Sequence, residues 1–460
     1  MSCNDTIAAI ATPLGSGGIG VIRLSGPESV KIAYRVFDSD VCCFPSHTAH
    51  HGTLVSPRSR QPIDDVVLTA FRAPRSYTGE DVVEISCHGG IATVRAALEA
   101  VLDAGARLAE PGEFTKRAFL NGKMDLAQAE AVNDLIRART DDARAVALRQ
   151  LGGGLSDRVH EIDRRLLALT AAVEASIVFP DDVDEPGPAW IETELDGARN
   201  SIDELAASYR TGRVYREGIR VVIAGRVNVG KSSLLNALLK DARAIVTEVP
   251  GTTRDLIEES LSIHGIPVVA IDTAGIRSTS DPVEKMGLEL AERSLESADI
   301  ILLVIDVSEG VTGEDVELAN RAGTKTTIVV LNKVDLLPEE ARGLATEEYL
   351  RRLGRSFPVV QTCASSGQGI DRLENEIAVL VGSHDIGGES VVVTNVRHHR
   401  ALVFASESVA HALATVSRRE PIDLLSVDLA AARNSLGLIT GETAAEDLLD
   451  AIFEQFCIGK

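Results

Sequence analysis

A glycine-rich segment near the middle of the chain constrains the fold more than any other feature. The sequence Gly-Arg-Val-Asn-Val-Gly-Lys-Ser occupies residues 225–232, after the apolar run Ile219–Ala224 and before a helix-like stretch at 232–238. In a strand, turn and helix of this kind, backbone N–H groups of the turn and of the helix N-terminus bind nucleotide phosphates. We expect Lys231 to reach the phosphate oxygens and Ser232 to reach Mg²⁺. The segment therefore predicts a P-loop nucleotide-binding domain.

Two further motifs follow in the order that a GTPase requires. Asp272-Thr-Ala-Gly275 ends a second apolar strand, predicted at 268–271, and Asn332-Lys-Val-Asp335 ends a third, predicted at 327–331. The three motifs together predict a GTPase.

The third motif favours guanine over adenine for a chemical reason. A carboxylate at Asp335 accepts hydrogen bonds from both N1–H and the 2-amino group of guanine, and adenine has no such pair of donors. Asn332 is placed to address the other edge of the base, and the stem of Lys333 to lie along the ring. Cys363-Ala-Ser365 stands where this fold usually has a Ser-Ala-Lys loop, so we expect only a backbone contact from Ala364.

The residue after the second motif departs from the usual pattern. Ras-like enzymes have a glutamine there that orients the attacking water, and this chain has Ile276, which cannot do so. Other groups must therefore organise hydrolysis; the candidates are Arg277, Asp281, Glu284, Lys285 and a further cation. Asn228, inside the phosphate loop, either helps to coordinate such a cation or only stabilises the turn.

Composition bounds the remaining functions. The length of 460 residues suggests about three domains. A net charge of −22 argues against nucleic-acid binding through overall charge, although a local basic patch is compatible with it. The six cysteines show no Cys-x-x-Cys pair, and Cys87 and His88 are expected to point to opposite faces of a strand. The absence of a signal peptide and of a membrane-length apolar run predicts a cytoplasmic protein with reduced thiols and no membrane partner.

The strand and helix patterns along the chain predict a multidomain protein with α/β and all-α parts. We predict an N-terminal α/β domain at 1–119, helical segments at 120–217 and 384–460, and a GTPase domain at 218–383. The expected N-terminal elements are strands at 6–11, 20–24, 66–71 and 82–87 and a helix at 91–104. The expected helices elsewhere are 125–151, 155–179, 191–215, 395–418, 422–436 and 443–456. Because both helical segments have apolar faces, we expect them to form one discontinuous bundle into which the GTPase domain is inserted.

Two short segments have no obvious place in this scheme. Between 110 and 130 the sequence predicts turns at Pro111-Gly112 and Asn121-Gly122 and an N-cap at Asp125, which describes at least a well-capped connector. The chain stops at Cys-Ile-Gly-Lys460, which fits a prenylation signal poorly. This tail is either a frayed end or a segment inserted into a site.

On these features the chain resembles the MnmE (TrmE) family of tRNA modification GTPases over essentially its whole length. The resemblance rests on the opening at 7–20, Tyr77-Thr-Gly-Glu-Asp81 with His88-Gly-Gly90, the segment 111–130, the GTPase motifs and the terminal Cys-Ile-Gly-Lys. It implies a folate-binding N-terminal domain that forms a homodimer, a helical domain, and an inserted Ras-like GTPase domain that dimerises transiently with K⁺ and GTP.

The resemblance also implies an activity. With an FAD- and NADH-using partner, MnmG (GidA), in a heterotetramer or larger complex, such proteins add a carboxymethylaminomethyl or aminomethyl group to C5 of the wobble uridine of certain tRNAs. The one-carbon unit comes from a tetrahydrofolate derivative, 5-formyl- or 5,10-methylene-tetrahydrofolate.

Site residues carry over by position. The residues that match the family's folate contacts are Arg23, Glu84, Lys123 and Lys460. A carboxylate suits the 2-amino-pyrimidinone edge of a pterin, and cations suit the carboxylates of folate. The residues that match the GTP site are Asn228, Val229, Gly230, Lys231, Ser232, Ser233, Thr247, Thr252, Thr253, Asp272, Thr273, Ala274, Gly275, Asn332, Lys333, Asp335 and Ala364.

The resemblance assigns ions and catalytic groups as well. Ser232 and Thr253 match the Mg²⁺ ligands. Asn228 matches a K⁺ ligand, accompanied by backbone oxygens of Thr247, Val249 and Thr252. Glu284 matches the residue that organises the attacking water, with Arg277 in support. Cys457 matches an important family cysteine, as either a nucleophile or an anchor for the tail.

Two other hypotheses compete with this one. The first is a GTP-switched assembly factor that binds ribosomal RNA, against which the acidic composition and the tail both count. The second is that the N-terminal domain is only a dimerisation platform, which a measurement of folate binding decides.

Overall fold

The computed structural model describes residues 5–241, 258–272, 294–354, 356–381 and 391–460. The chain divides into two compact units. The first contains Met1–Asn133, Gln150–Val183 and Leu425–Lys460, and the second contains Asp134–Arg149 and Asp184–Leu424. Each unit combines helices from both of the predicted helical segments.

The first unit contains a mixed sheet in the order β3-β4-β5-β2-β1-β6. Its strands are β1 (Ile7–Ile10), β2 (Ile19–Ser25), β3 (Thr48–Val55), β4 (Pro62–Phe71), β5 (Val82–His88) and β6 (Arg107–Leu108). Neighbouring strands are antiparallel except for the parallel pair β1 and β6. Helices α1 (Ser29–Val36) and α2 (Ile91–Asp103) pack with Ile22, Leu24 and Ile85 in one apolar core.

Side chains alternate between the two faces of this sheet, so different residues line the face opposite α1 and α2. Ile7 and Ala9 pack against Phe114 there, which belongs to α3 (Glu113–Leu120). Arg23 lies between Ile22 and Leu24 in the chain, so it faces the α3 side, away from α1 and α2. The predicted strands and the helix at 91–104 are confirmed. The sequence did not reveal α1, the irregularly patterned β3, or β6, which has two exposed residues.

The predicted turns and cap around α3 are also confirmed. Gly112 and Gly122 have φ of 67° and 68°. Asp125 Oδ1 accepts from the N–H of Gln128 at 2.8 Å, and Gln128 Oε1 accepts from the N–H of Asp125 at 3.0 Å. This reciprocal capping box starts α4 (Leu126–Arg137).

The prediction of one helix over 125–151 is wrong. The chain forms α4 and then α5 (Asp141–Leu151), because Thr140 Oγ1 accepts from the N–H of Ala143 at 3.2 Å and starts a new helix. Asp141 and Asp142 in the first turn of α5 favour that new N-terminus.

The prediction of one helix over 191–215 is likewise wrong. This region forms α7 (Pro188–Ala207) and α8 (Tyr209–Glu217), and Pro188 allows the earlier start. The helices part at Ser208, whose Oγ accepts from the backbone N–H of Val393 at 3.0 Å.

The remaining helices of the first unit support the segment around α3. They are α6 (Gly154–Val178), α14 (Ile422–Thr440), which begins in the second unit, and α15 (Glu446–Phe453). Arg433 of α14 pairs with Asp163 of α6 at 2.9 Å. Leu126 of α4 shares an apolar cluster with Phe453 and Phe456, so the root of the C-terminal tail is packed.

The second unit contains a largely parallel sheet in the order β12-β11-β10-β7-β9-β8. Its strands are β7 (Ile219–Ala224), β8 (Glu258–Ile263), β9 (Ile266–Asp272), β10 (Ile300–Asp306), β11 (Thr326–Asn332) and β12 (Val359–Gln361). Only the described pair β8 and β9 is antiparallel. Its helices are α9 (Lys231–Asp241), α10 (Gly313–Arg321), α11 (Glu339–Leu353), α12 (Ile370–Val381) and α13 (Val396–Ser417), together with α7, α8 and most of α5.

The three strands predicted from the GTPase motifs are confirmed. Apolar clusters cover both faces of the sheet, as a parallel sheet requires. Because parallel strands end at the same edge, the phosphate loop, Asp272 and the motif that begins at Asn332 follow their strands at one edge of the sheet. In the described parts of the chain, no helix has the length and apolarity needed to cross a membrane.

Candidate functional site

The phosphate loop at 225–232 has a backbone that only glycine accommodates at two positions. Gly225 and Gly230 have φ of 151° and 98°. A Cβ on Gly225 would lie 2.5 Å from the carbonyl oxygen of Val304, and one on Gly230 would lie 2.3 Å from Nδ2 of Asn332. The glycines therefore let the loop close tightly against β10 and β11.

A lysine and two hydroxyls stand where the loop meets its helix. Lys231 Nζ donates to the carbonyl oxygens of Gly225 at 2.8 Å and Arg226 at 2.7 Å. Ser232 and Ser233 are exposed in the first turn of α9. A cation held at a tight backbone loop, next to a helix N-terminus with an exposed hydroxyl, fits a nucleotide phosphate group with Mg²⁺.

Asn332 joins the phosphate loop to the loop that carries Ala364. Its Nδ2 donates to the carbonyl oxygen of Val229 at 2.9 Å, and its Oδ1 accepts from the N–H of Ala364 at 3.1 Å and from Thr362 Oγ1 at 3.3 Å. Only 2% of the residue is exposed. The structure thus gives Asn332 a positioning role that sequence reasoning missed, and its contact with the base stays a prediction.

Lys333 forms a second link between the phosphate loop and the motif Asn332–Asp335, which is predicted to bind the base. Its backbone is left-handed, with φ of 63°, and its Nζ lies 2.9 Å from the carbonyl oxygen of Asn228 and 2.6 Å from Asp306 Oδ2. Burial alone would raise the pKa of Asp306, but hydrogen bonds from Lys333 and Ser308 outweigh it and hold that pKa below its ordinary value. Asp306 was missed, although it ends an apolar run in the manner of the other motif residues.

Asp335 has the exposure that its predicted role needs. It lies in a short 3-10 turn, Val334–Leu336, and is exposed beside the buried Asn332. Its carboxylate is therefore accessible to a base bound at this edge of the sheet.

Arg226 braces the phosphate loop from the other side. Its Nε lies 3.1 Å from Asp315 Oδ1 and its Nη1 lies 2.9 Å from Glu309 Oε2. Asp315 is fully buried and also caps α10 through Thr312. The Thr-x-x-Asp capping pattern and an arginine inside the phosphate loop were the available signals for this contact.

Several predicted residues lie outside the described residues, so their placement remains a prediction. They are Thr247, Val249, Thr252, Thr253, Thr273, Ala274, Gly275, Ile276, Arg277, Asp281, Glu284 and Lys285. Asn228 is described: it is exposed, with φ of 63°. That geometry is compatible with both a cation ligand and a turn residue. Over the described ranges, no group of three His, Cys, Asp or Glu side chains could hold a metal.

A second group of predicted residues meets on the sheet of the first unit. Arg23 of β2 pairs in register with Glu84 of β5, and both Nε and Nη2 of Arg23 lie 2.8 Å from Glu84 Oε1. The guanidinium carbon lies 5.5 Å from the ring centre of Tyr77 and 5.8 Å from that of Phe114. The arginine is therefore held by one carboxylate and two aromatic rings.

The C-terminal tail returns to this arginine. Arg23 Nη1 donates to the carbonyl oxygen of Gly459 at 3.2 Å. Gly459 has φ of 94°, and a Cβ there would lie 2.4 Å from the carbonyl oxygen of Ile10. The carbonyl oxygen of Cys457 accepts from the N–H of Gly112 at 3.4 Å. The tail is thus seated against β1 and is not a frayed end.

Lys460 ends beside the arginine–glutamate pair. Burial lowers the pKa of Lys460 and the charge of Arg23 lowers it further, while Glu84 and Cys457 oppose both effects. Lys123 instead donates from Nζ to the carbonyl oxygen of Pro74 at 3.1 Å, in the loop that leads to Tyr77. The structure therefore brings three of the four predicted folate contacts together.

A buried arginine that sequence reasoning missed supports this site. Arg117 is 2% exposed, and its Nη2 contacts Asp5 at 2.7 Å and Glu113 at 2.9 Å. Its Nη1 lies 3.3 Å from Glu80, three residues after Tyr77. Glu113 and Arg117 are four residues apart on α3, a spacing that signals a helical ion pair.

Cys87 and His88 point to opposite faces of β5, as predicted from the sequence, and so do not form a catalytic pair. Cys87 is buried, and burial raises the pKa of its thiol. His88 is exposed on the opposite face, with Nδ1 2.7 Å from Asp64 Oδ1.

The parallel sheet, the glycine loop with Lys231, and the motif ending at Asp335 define a P-loop GTPase. Family models match nearly the whole chain: the GTP-binding protein TrmE N-terminus over residues 6–123 and the MnmE helical domain over residues 126–457. The chain belongs to the MnmE (TrmE) family.

Curated relatives agree with this assignment over their full length. The tRNA modification GTPase MnmE of Geobacillus kaustophilus is 47% identical over 466 residues, and that of Carboxydothermus hydrogenoformans is 45% identical over 463 residues. Each alignment covers 99% of both chains. The protein of the same name from Bacillus subtilis is 44% identical, over 99% of this chain and 100% of the relative.

Solved structures match only part of the chain. Aquifex aeolicus Era bound to GDP and AlF₄⁻ is 28% identical, covers 41% of this chain and 66% of its own, and has a TM-score of 0.31. The G domain of the T. maritima FeoB iron transporter is 26% identical, covers 35% of this chain and 98% of its own, and has a TM-score of 0.26.

Proposed function

We propose that this protein hydrolyses GTP in the modification of the wobble uridine of certain tRNAs. In this proposal a carboxymethylaminomethyl or aminomethyl group is added to C5, in the cytoplasm, by a complex of a homodimer of this chain with an FAD- and NADH-using partner of the MnmG (GidA) kind. Membership of the family and the printed name of its relatives, tRNA modification GTPase, support the reaction class.

The contact that carries the folate part of this proposal is the one between Arg23 and Gly459. It seats the tail so that Lys460 joins Arg23 and Glu84 on one face of the sheet. A protein of net charge −22 needs local cations to bind an anionic ligand, and this cluster provides two of them. The residues therefore fit a tetrahydrofolate derivative, which would supply the one-carbon unit.

Each of these side chains has a distinct task in the proposed site. Both Arg23 contacts end on Oε1 of Glu84, and within the described parts of the chain Oε2 has no hydrogen-bond partner. That oxygen is available to accept from the 2-amino-pyrimidinone edge of a pterin. Tyr77 and Phe114 hold the Arg23 guanidinium in place, and Arg23 and Lys460 attract the negative charges of the ligand.

The GTPase tasks are assigned by the same chemistry. The loop around Gly230 and the Lys231 ammonium bind the phosphates, Ser232 with Thr253 holds Mg²⁺, and Asp335 selects guanine. We assign K⁺ to Asn228, where its positive charge would stabilise the charge that develops between the β- and γ-phosphates. Ile276 cannot orient the attacking water, and we assign this task to Glu284 because it matches the family residue that performs it.

Nucleoside analysis of tRNA from cells that lack this protein tests the proposal. We expect the C5-modified wobble uridines to disappear, to return with the wild-type gene, and to stay absent with Glu84→Gln. Thr69→Ser is a matched control, because Thr69 of β4 pairs with Glu84 across the side of β5 that faces away from β2 and Arg23. Unaltered wobble uridines in the deletion strain would refute the proposed function.

A further inference from the structure

Two stretches of the second unit reverse the acidic character of the chain. The protein has 68 acidic and 46 basic residues. Residues 205–216 nevertheless contain three arginines and no carboxylate, and residues 390–406 contain two arginines, two histidines and no carboxylate. The first stretch forms the end of α7 and most of α8, and the second contains the start of α13.

The structure brings these stretches together around Tyr209. The Tyr209 ring stacks on the His399 ring, with centroids 4.5 Å apart and an angle of 11° between the planes. Burial raises the pKa of Tyr209 and Glu217 adds to this, while the charges of Arg213, Arg216 and Arg400 pull it down. Positive charges from both helices therefore surround one aromatic pair.

Some of these arginines are engaged within the protein. Arg213 contacts Asp299 at 3.0 Å and Glu217 at 3.4 Å, and Arg216 contacts Asp134 at 2.8 Å. These pairs fix the shape of the surface and neutralise part of its charge.

Arg210 and Arg400 are different. Both are exposed, and neither forms an ion pair or a side-chain hydrogen bond with another described residue. The charge of Arg400 acts on the Tyr209 hydroxyl, and Arg210 directly follows Tyr209 in the chain, at the first turn of α8. We define the Tyr209 surface as Tyr209, Arg210, His399 and Arg400.

The chemistry of this surface selects its partner. Exposed guanidinium groups bind phosphate oxygens in bidentate geometry, and aromatic rings beside them accept stacked bases. The large negative charge elsewhere on the chain repels a polyanion, so an RNA must approach through a local reversal of charge. An acidic protein partner could pair with the arginines, but it has no bases to stack on the rings.

We propose that the Tyr209 surface binds tRNA, with Arg210 and Arg400 contacting its phosphate backbone. This inference rests on the proposed role in tRNA modification, and it assigns the tRNA contact to α8 and α13, where no sequence motif pointed.

Charge reversal at the two exposed arginines tests this assignment. The binding of an unmodified tRNA transcript to the full chain is measured by fluorescence anisotropy over a series of salt concentrations. For Arg210→Glu/Arg400→Glu we expect a loss of affinity of about 10-fold or more at low salt. We also expect the slope of log K against log salt to fall by about two, roughly one for each lost phosphate contact.

A matched control removes the effect of net charge. Arg95 of α2 and Arg165 of α6 are exposed helical arginines that make no ion pair or side-chain hydrogen bond within the described ranges. Arg95→Glu/Arg165→Glu changes the net charge by the same amount and should keep both the affinity and the salt slope. The GTP hydrolysis rate without tRNA should match the wild-type rate in both double variants, and Arg210→Gln/Arg400→Gln replaces the reversal variant if that rate falls.

Three outcomes would overturn the inference. The first is wild-type affinity and slope in the Arg210 and Arg400 variants. The second is an equal loss in the control, which would show a non-specific charge effect. The third is normal tRNA binding with lost binding of the FAD-dependent partner, which would make the surface a protein interface. Nucleoside analysis of the deletion strain decides the proposed function separately, whatever the binding result.

Discussion

Nη1 of Arg23 lies 3.2 Å from the carbonyl oxygen of Gly459, which brings together residues 436 positions apart in the chain. The same arginine pairs with Glu84 through the opposite side of its guanidinium. A core strand, its neighbour and the C-terminus therefore meet at one side chain. The proposed folate site therefore depends on the position of the tail.

The first prediction concerns the seat of the tail. Gly459→Ala should displace it, because Gly459 has φ of 94° and its new Cβ would lie 2.4 Å from the Ile10 carbonyl oxygen. We expect the affinity for 5-formyl-tetrahydrofolate, measured by calorimetry, to fall about 10-fold or more, which corresponds to about 1.4 kcal/mol. Deletion of residues 457–460 should weaken this binding, abolish tRNA modification and leave GTP hydrolysis nearly intact.

Gly354→Ala provides the control for backbone strain. Gly354 has φ of 69°, and a Cβ there meets no atom within 4 Å. Gly354→Ala should therefore have a similar cost in backbone strain and leave the affinity for 5-formyl-tetrahydrofolate unchanged. Normal folate binding by the tail deletion would show that the tail has no part in the site.

The second prediction concerns the cation. Because Ile276 cannot orient water and Asn228 is exposed in the phosphate loop, GTP hydrolysis should be much faster in K⁺ than in Na⁺. Asn228→Gly removes the side chain and keeps the left-handed backbone, which has φ of 63°. This variant should bind nucleotide and lose the K⁺ stimulation, as should Asn228→Ala. Equal wild-type rates in the two salts would contradict the assignment.

The third prediction concerns water activation. Glu284→Ala should keep its affinity for GTP and lower kcat by roughly 10²-fold, as the loss of a water-orienting group does. Asp281→Ala is the control, since Asp281 was a candidate that the family resemblance does not select. Near-normal turnover of Glu284→Ala, measured by phosphate release, would move the role to another group.

The fourth prediction concerns the ion network around the buried Arg117. Arg117→Met should destabilise the first unit by about 3 kcal/mol, because it removes the buried cation that Asp5, Glu80 and Glu113 share. Arg107→Met should cost much less, because the Arg107 side chain is 44% exposed. Urea unfolding followed by circular dichroism measures both changes.

The pH dependence of this network has a defined sign. Burial would raise the pKa of Glu113, but hydrogen bonds from Arg107, Glu110 and Arg117 outweigh it and hold that pKa below its ordinary value. A carboxyl with a depressed pKa in the folded state stabilises the protein above its unfolded pKa, and this contribution is lost as the pH falls through the folded pKa. The stability gap between wild type and Arg117→Met should therefore narrow below about pH 4. A gap that stays constant down to pH 3 would exclude a charged Glu113 as its source.

The sequence by itself determined the features that depend on neighbouring residues. The phosphate loop, the strand Ile219–Ala224, the capping box at Asp125 and the turns at Gly112 and Gly122 all follow from local backbone and hydrogen-bonding rules. Such rules act over a few residues, so their effects can be predicted from the sequence alone. Even there, apolar periodicity predicted one helix over 125–151. The chain forms two helices instead, because Thr140 caps the start of a new one.

Only the tertiary structure decided which distant side chains meet. Arg23 and Glu84 are 61 residues apart, and strand register makes them neighbours. Asn332 reaches Val229 across 103 residues, which gives it a link between two loops besides its predicted base contact. Tyr209 and His399 stack because α8 packs on α13, across 190 residues of the chain. These pairings depend on sheet register and helix packing, which arise from the whole core rather than from any segment, and no local pattern encodes them.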